Sequence, residues 1–189
     1  MSTIKIAEPA RELFTLEEAR AFLKCDDAEA DSVITLALAA ARELAEKEMA
    51  RTLLETGYEM RTDGFSRAVR LEWPRVQRVL SLQFVAPDGE VLTLDPQDYV
   101  LDNANDFAPA WLVPARGKAW PETADEVNAV RVRYVAGYGT EPAQVPAAIR
   151  QWVQLHARSF YDNPSALSAG NLQALPYLCG LIEGFKVYG

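Results

Sequence analysis

Only one histidine, His156, is available for proton transfer near neutral pH. A catalytic base of this kind needs a nucleophile within hydrogen-bond reach and a carboxylate to orient it. No spacing in the chain signals either. His156 instead shares a helical stripe with Ile149, Trp152, Val153 and Phe160, the setting of a core or interface histidine. Asp102, Asp106, Asp125 and Glu126 carry the hard oxygen donors that a divalent cation takes. They lack the glycine and terminal glutamate of an EF-hand and read as solvated loop acids. Gly137-Tyr138-Gly139 precedes a helix, as a phosphate-binding loop would. No G-x-G-x-x-G and no Walker lysine follows, and Pro142 and Pro146 remove amide donors. The two glycines therefore read as backbone geometry. Cys25 and Cys179 match no metal or redox spacing and read as buried or semi-buried thiols, a disulfide between them being left open. Arg67, Arg70, Arg75 and Arg78 are candidates for contact with nucleic acid or an acidic partner. Flanked by Glu72 and other acids, they read as a salt-bridged, solvated face. Trp73, Trp111, Trp120 and Trp152 read as core or interface anchors, not as platforms for bases. The residues predict no catalytic, cofactor-binding or metal site.

The elements that hold these residues follow from period and caps. Thr15 and Glu18 make a T-x-x-E capping box, which predicts a helix from Leu16 to Lys24. Asp26, Asp27, Glu29 and Asp31 crowd the entrance of a second helix, predicted over 28–51, where they complement its dipole. It carries two adjacent stripes that make a wide apolar face: Val33, Ala37, Ala40, Ala41, Leu44 and Glu48, and Ile34, Leu38, Ala41, Ala45 and Met49. From Glu55 the period changes to 2. Strands are predicted over 58–61, 68–71, 76–85, 91–94, 99–101, 111–113 and 127–135, with a hairpin turn at Pro87-Asp88-Gly89. Gly137 and Gly139 end the last strand sharply. A third helix is predicted over 146–161, with Pro146 at its first position. A Ser-, Ala- and Gly-rich linker, Ser165–Asn171, leads to a last helix over 177–185. The fold class is α+β: a helical bundle core of about four helices, with a β-rich subdomain inserted between the second and third. Along the chain this gives an N-terminal arm (1–14), a first helical part (15–54), the β-rich insertion (55–140), a second helical part (141–164), and a linker with a terminal helix (165–189).

Composition limits the function classes. The chain has 189 residues, a net charge of −8 and 49% apolar residues. That charge opposes sequence-independent DNA binding, which depends on neutralising phosphates. No apolar run is long enough to span a membrane, and the first residues do not form a signal peptide. The charge is uneven. Residues 1–54 hold 7 basic and 11 acidic side chains, residues 55–140 hold 9 and 13, and residues 141–189 hold 3 and 3. A charge-poor, aromatic-rich end is typical of an interface core.

The order of segments is itself a signature: TLEEAR, a long helix ending near EMAR, LEWPRVQRVLSLQFVAPDGE, LDPQDYVLD, VRVRYVAGYG, VPAAIRQWVQLHARSFYDN and LPYLCGLIEGFKVYG. From Phe14 to Tyr188 it resembles the head–tail connector, or adaptor, proteins of long-tailed bacteriophages, prophages and gene transfer agents. The resemblance implies a structural, non-enzymatic virion protein of the neck, assembled in the bacterial cytoplasm. Its partners would be itself, as a dodecameric ring in the virion, the portal protein above and the stopper or tail-completion protein below. DNA would pass through the channel without specific binding, and a charge of −8 per subunit would repel it from the wall. The family's C-terminal segment grips the portal, which implies a portal interface at Tyr177, Leu178, Leu181, Ile182 and Phe185. Here Glu183-Gly184 precedes Phe185-Lys186, where many relatives have an earlier proline and a late basic residue. A ring needs two unlike complementary faces. The second and third helices are expected to supply them through Ala37, Ala41, Leu44, Trp152 and Phe160. The alternatives are another neck or tail-completion protein, or a small hydrolase or binding enzyme that uses His156.

Overall fold

The structure, a computed structural model, describes residues 1–163 and 176–187. Helix α1 (Leu16–Leu23) starts at the capping box: Glu18 N–H donates to Thr15 Oγ1 at 3.2 Å, and Thr15 N–H donates to the Glu18 carboxylate at 2.8 Å. A 3-10 turn (Ala28–Ala30) leads into α2 (Asp31–Met49). The α-helical part is thus shorter at both ends than the pattern of 28–51 predicts. Asp31 is fixed at its start by Arg20 of α1, 2.6 Å away. At its end Ala50 turns left-handed, with φ 49°, and sends Arg51 away from the helix into the interior. Helix α3 (Ala147–Asp162) follows Pro146, and α4 (Pro176–Glu183) comes last. Ile34, Leu38, Ala41, Ala45 and Met49 of α2 meet Ile149, Trp152, Val153 and Ala157 of α3. Ala19 and Leu23 of α1 and Ile182 of α4 close this core. Alanine at two of these α2 positions lets the helix axes come close.

The strands are β1 (Ser2–Ala7), β2 (Thr56–Thr62), β3 (Val69–Leu71), β4 (Val76–Val85), β5 (Val91–Thr93), β6 (Tyr99–Asp102), β7 (Ala110–Pro114) and β8 (Val130–Ala136). They form two antiparallel sheets, one ordered β1-β2-β8-β4-β5 and one ordered β3-β7-β6. The protein is therefore a mixed α and β fold, with four α-helices among the described residues. Within the stretch 1–14 expected as an N-terminal arm, Ser2–Ala7 pairs with β2 as an edge strand. Thr3-Ile4-Lys5-Ile6 has the period of a strand, but a run so short is weak evidence without its partner. The linker expected at Ser165–Asn171 lies outside the described residues. The two sheets face each other over a second core, built from Tyr58, Met60, Leu82, Val132 and Tyr134 of the large sheet and Val69, Leu71, Ala110 and Leu112 of the small one.

The two cores are joined where backbones cross. Thr52 N–H donates to Pro74 O, Tyr138 N–H to Leu53 O, and Glu55 N–H to Gly139 O. At this crossing Gly137 has φ 131°, and a Cβ there would stand 2.6 Å from the Leu54 carbonyl. That is the reason for glycine at the exit of β8: both the dihedral and the close approach exclude a side chain.

Candidate assembly interface

His156 lies half-buried on α3, and its position disfavours acid–base chemistry. Its Nδ1 is 2.9 Å from the Trp152 carbonyl oxygen, one helical turn back, so the bond requires a proton on Nδ1. The imidazole stacks on the Trp152 indole with centroids 3.5 Å apart and meets Phe160 edge-on at 6.5 Å. It bonds to no hydroxyl, thiol or carboxylate among the described residues. No group of three or more metal-ligating side chains converges among those residues either, and none of their helices is long and apolar enough to cross a membrane. Cys25 is a buried free thiol near the Tyr161 hydroxyl, at 3.1 Å. The side chain of Cys179 lies outside the described part.

The two stripes of α2 have different fates. The stripe through Ile34, Leu38 and Ala45 is inside. The stripe through Val33, Ala37 and Ala40 lies along an outer groove between α2 and α3, of about 350 Å³, which Leu36 and Phe160 complete. Leu36 is 70% exposed and Val33 47%, one helical turn apart on the same side of the groove. The residues expected at a ring interface divide accordingly. Ala37 and Phe160 line the groove. Leu44 packs partly buried on the helical core. Ala41 and Trp152 belong to the core itself, at 0% and 4% exposure, and have no surface to offer a neighbour.

The residues expected at a portal interface also turn inward where they are described. Ile182 is buried in the helical core, and Leu181 and Phe185 pack against it. Val187 N–H then donates to Met49 O at 2.9 Å, tying the end of α4 to the end of α2. The exposed residues of this segment are Gly180, Glu183 and Gly184. The side chains of Tyr177 and Leu178 lie outside the described part.

Several charged groups escape notice in the sequence because their partners are distant. Arg42, nearly buried, donates to Glu12 at 2.8 Å and to Glu46 at 3.0 Å. Glu46 also accepts Leu53 N–H. Burial pushes its carboxyl above the usual range, although the Leu53 amide and Arg42 pull the other way. Arg51 is 1% exposed. It donates to the Tyr138 hydroxyl at 2.7 Å and the Asp106 carbonyl at 2.6 Å, and it stacks on Phe107 and Tyr138. With the Arg75–Asp106 ion pair at 2.9 Å, this pins the loop after β6 to the helical half. Arg78 pairs with Glu55. In the large sheet, Arg133 and then Arg61 hold the Glu59 carboxyl below the usual range. Burial pushes the Tyr58 hydroxyl up to about 12. These groups are fixed by structural partners and do not form a reactive cluster.

The positions of these surfaces can be set beside known proteins. No protein-family model matches the chain, and no curated protein does either. Solved structures do. A chain in the neck of an empty GTA particle, determined with C6 symmetry, superposes with a TM-score of 0.82 at 21% identity, over 100% of this chain and 97% of that one. A chain in the virion of a native gene transfer agent particle gives 0.81 at 21%, with the same coverage. A third, from the neck of a native GTA particle determined with C12 symmetry, gives 0.71 at 20%. The chain has, over its whole length, the fold of a component of gene transfer agent particles and their necks.

Proposed function

We propose that the protein is a structural component of the neck of a phage-like particle, and within the neck the head–tail adaptor. One observation carries this: an end-to-end fold match to neck chains, one of them from a C12 reconstruction. The surfaces support it. The groove of Val33, Leu36, Ala37, Ala40 and Phe160 is an apolar face without a covering partner among the described residues. The single histidine is occupied by structural contacts. In this proposal the helices form the core and the sheets between α2 and α3 are an insertion on it. The subunits form a ring, a dodecamer in the virion, through the α2–α3 groove. The C-terminal segment with Leu181, Ile182 and Phe185 docks the portal, and a stopper or tail-completion protein docks below. DNA crosses the ring without specific contacts. The particle is a phage, a prophage product or a gene transfer agent.

The test is co-assembly with the portal protein encoded beside it, imaged by negative-stain electron microscopy. A closed ring on the portal is the expected result. Leu36→Asp should abolish the ring while leaving the melting temperature of the subunit nearly unchanged, since an exposed position contributes within about 0.5 kcal/mol to folding. Wild-type protein that never associates with portal removes the adaptor assignment. Turnover of any substrate lost on His156→Ala would replace it with the enzymatic one.

A further inference from the structure

The large sheet ends in two unlike open edges, β1 and β5. β2 covers one side of β1, and β4 covers one side of β5; neither has a second neighbour in the sheet among the described residues. Open edges are pairing templates unless proline, charge or a covering element protects them. Neither strand contains a proline. The one charge in either, Lys5, is engaged with Glu8 at 3.2 Å. Both edges display apolar side chains on the outward face of the sheet. Ile4 and Ile6 are each 44% exposed on β1, beside an apolar pit of about 240 Å³ floored by Gly57 and Leu80, and Val91 is 61% exposed on β5. Val91 shares that face with Ile4, because cross-strand partners lie on one face and the chain of pairings runs from Ile4 to Glu59 and Arg133, and from Gln83 to Thr93, two residues from Val91.

We propose that β1 of one copy pairs with β5 of the next, carrying the large sheet from subunit to subunit. It rests on the ring assignment above and adds a second contact between neighbours, beside the α2–α3 groove. Strand direction selects this arrangement. Four antiparallel steps separate β1 from β5, so the two run the same way within a subunit. A rotation that repeats the subunit head to tail therefore brings them together as a parallel pair. A two-fold axis would instead pair β1 with β1 and close a dimer. Charge points the same way. Parallel pairing lays the start of β5 beside the start of β1. Asp88, Glu90 and Asp95, exposed and in no ion pair among the described residues, flank β5. Arg61, on β2 opposite Ser2, is the cation beside the start of β1 and is shared with Glu59, and Arg131 lies one strand further in, on β8.

The test uses the full chain assembled on its portal, in a background with Cys25→Ser and Cys179→Ser. The pairs Ile4→Cys with Val91→Cys, and Ile4→Cys with Thr93→Cys, cover two adjacent registers, since parallel strands about 4.8 Å apart bring facing residues within disulfide reach. Oxidation of one of these pairs should give a ladder of covalent multimers in denaturing gels, which the single-cysteine variants lack. Ile4→Lys with Ile6→Lys should keep the wild-type melting temperature and circular dichroism but lower ring yield at least tenfold. Rings that form without any ladder, and equally well with the two lysines, overturn the strand pairing and leave the ring assignment standing. A dimer from Ile4→Cys alone overturns it in favour of the two-fold pairing. Wild-type protein that makes no ring on portal overturns both.

Discussion

At the scale of single residues, the buried charges are the most demanding feature of the molecule. Arg51, 1% exposed, lies between the Phe107 and Tyr138 rings and donates to the Tyr138 hydroxyl and the Asp106 carbonyl. Removing it takes the charged donor from two half-buried acceptors and empties a buried site. Each hydrogen bond to a charged group contributes about 1.5–3 kcal/mol. Arg51→Ala should therefore lower unfolding free energy by about 3 kcal/mol or more in urea titrations. Arg51→Lys should recover little of it, because a single ammonium cannot reach both acceptors in the fixed fork geometry of guanidinium. Glu59 gives a second test, through pH. Its folded carboxyl titrates below the usual range because Arg133 and Arg61 favour the charged form. The unfolded state then takes up its proton first as pH falls. The stabilisation from Glu59 is complete above its unfolded value of about 4.3 and is lost as pH drops through the lower folded value. Wild-type protein should lose more stability between about pH 6 and about pH 3 than Glu59→Gln, which has no carboxyl to protonate. Equal losses would mean that the arginines do not stabilise the Glu59 anion. Glu46 has the opposite sign. Its raised carboxyl favours folding at low pH, and that contribution fades as pH rises through the raised value.

At the scale of elements, the turn from β8 into α3 shows how one backbone contact joins the two halves. Gly137→Ala would put a Cβ 2.6 Å from Leu54 backbone at φ 131°. The expected cost exceeds about 1 kcal/mol, read as a lower melting temperature with unchanged circular dichroism. Gly89→Ala serves as a control: its φ is 90°, but a Cβ there meets nothing. It should suffer only the dihedral strain. Most elements were legible because their signals are local. The capping box places α1, period 2 outlines β4 and β8, and Pro-Asp-Gly marks the β4–β5 hairpin. What stayed hidden depends on contacts far along the chain. Ser2–Ala7 is a strand only because β2 lies beside it. Which stripe of α2 faces inward depends on where α3 packs, so the sequence could not tell whether Ala41 and Trp152 serve an interface or the core, where they lie. Arg51 reads as a helix end, and its role comes from Asp106 and Tyr138, 55 and 87 residues away.

At the scale of the whole molecule, the proposed adaptor role turns on how α4 would hold a portal. The proposed anchor residues Leu181, Ile182 and Phe185 are seated on the subunit's own core. Burying one such side chain contributes roughly 1.5–3 kcal/mol, so exchanging the subunit core for a portal surface gives little net gain unless the new contact is larger. Two mechanisms remain. In the first the portal grips α4 in its seat, through the exposed side at Gly180 and Glu183; in the second it draws α4 out and covers the apolar face itself. Gly180→Glu separates them. Gly180 is helical and exposed, and a Cβ there meets nothing within 4 Å, so the substitution should hold or raise the melting temperature. If α4 is gripped in place, the added charge blocks portal co-sedimentation. If α4 is drawn out, Gly180→Glu still binds. Ile182→Ala, which loosens the seat by about 2–4 kcal/mol, then lowers the melting temperature but weakens portal binding by less than that loss, because part of it is no longer spent on release. Binding of both variants at wild-type strength would place the portal contact outside α4, with the α2–α3 groove the next surface to test.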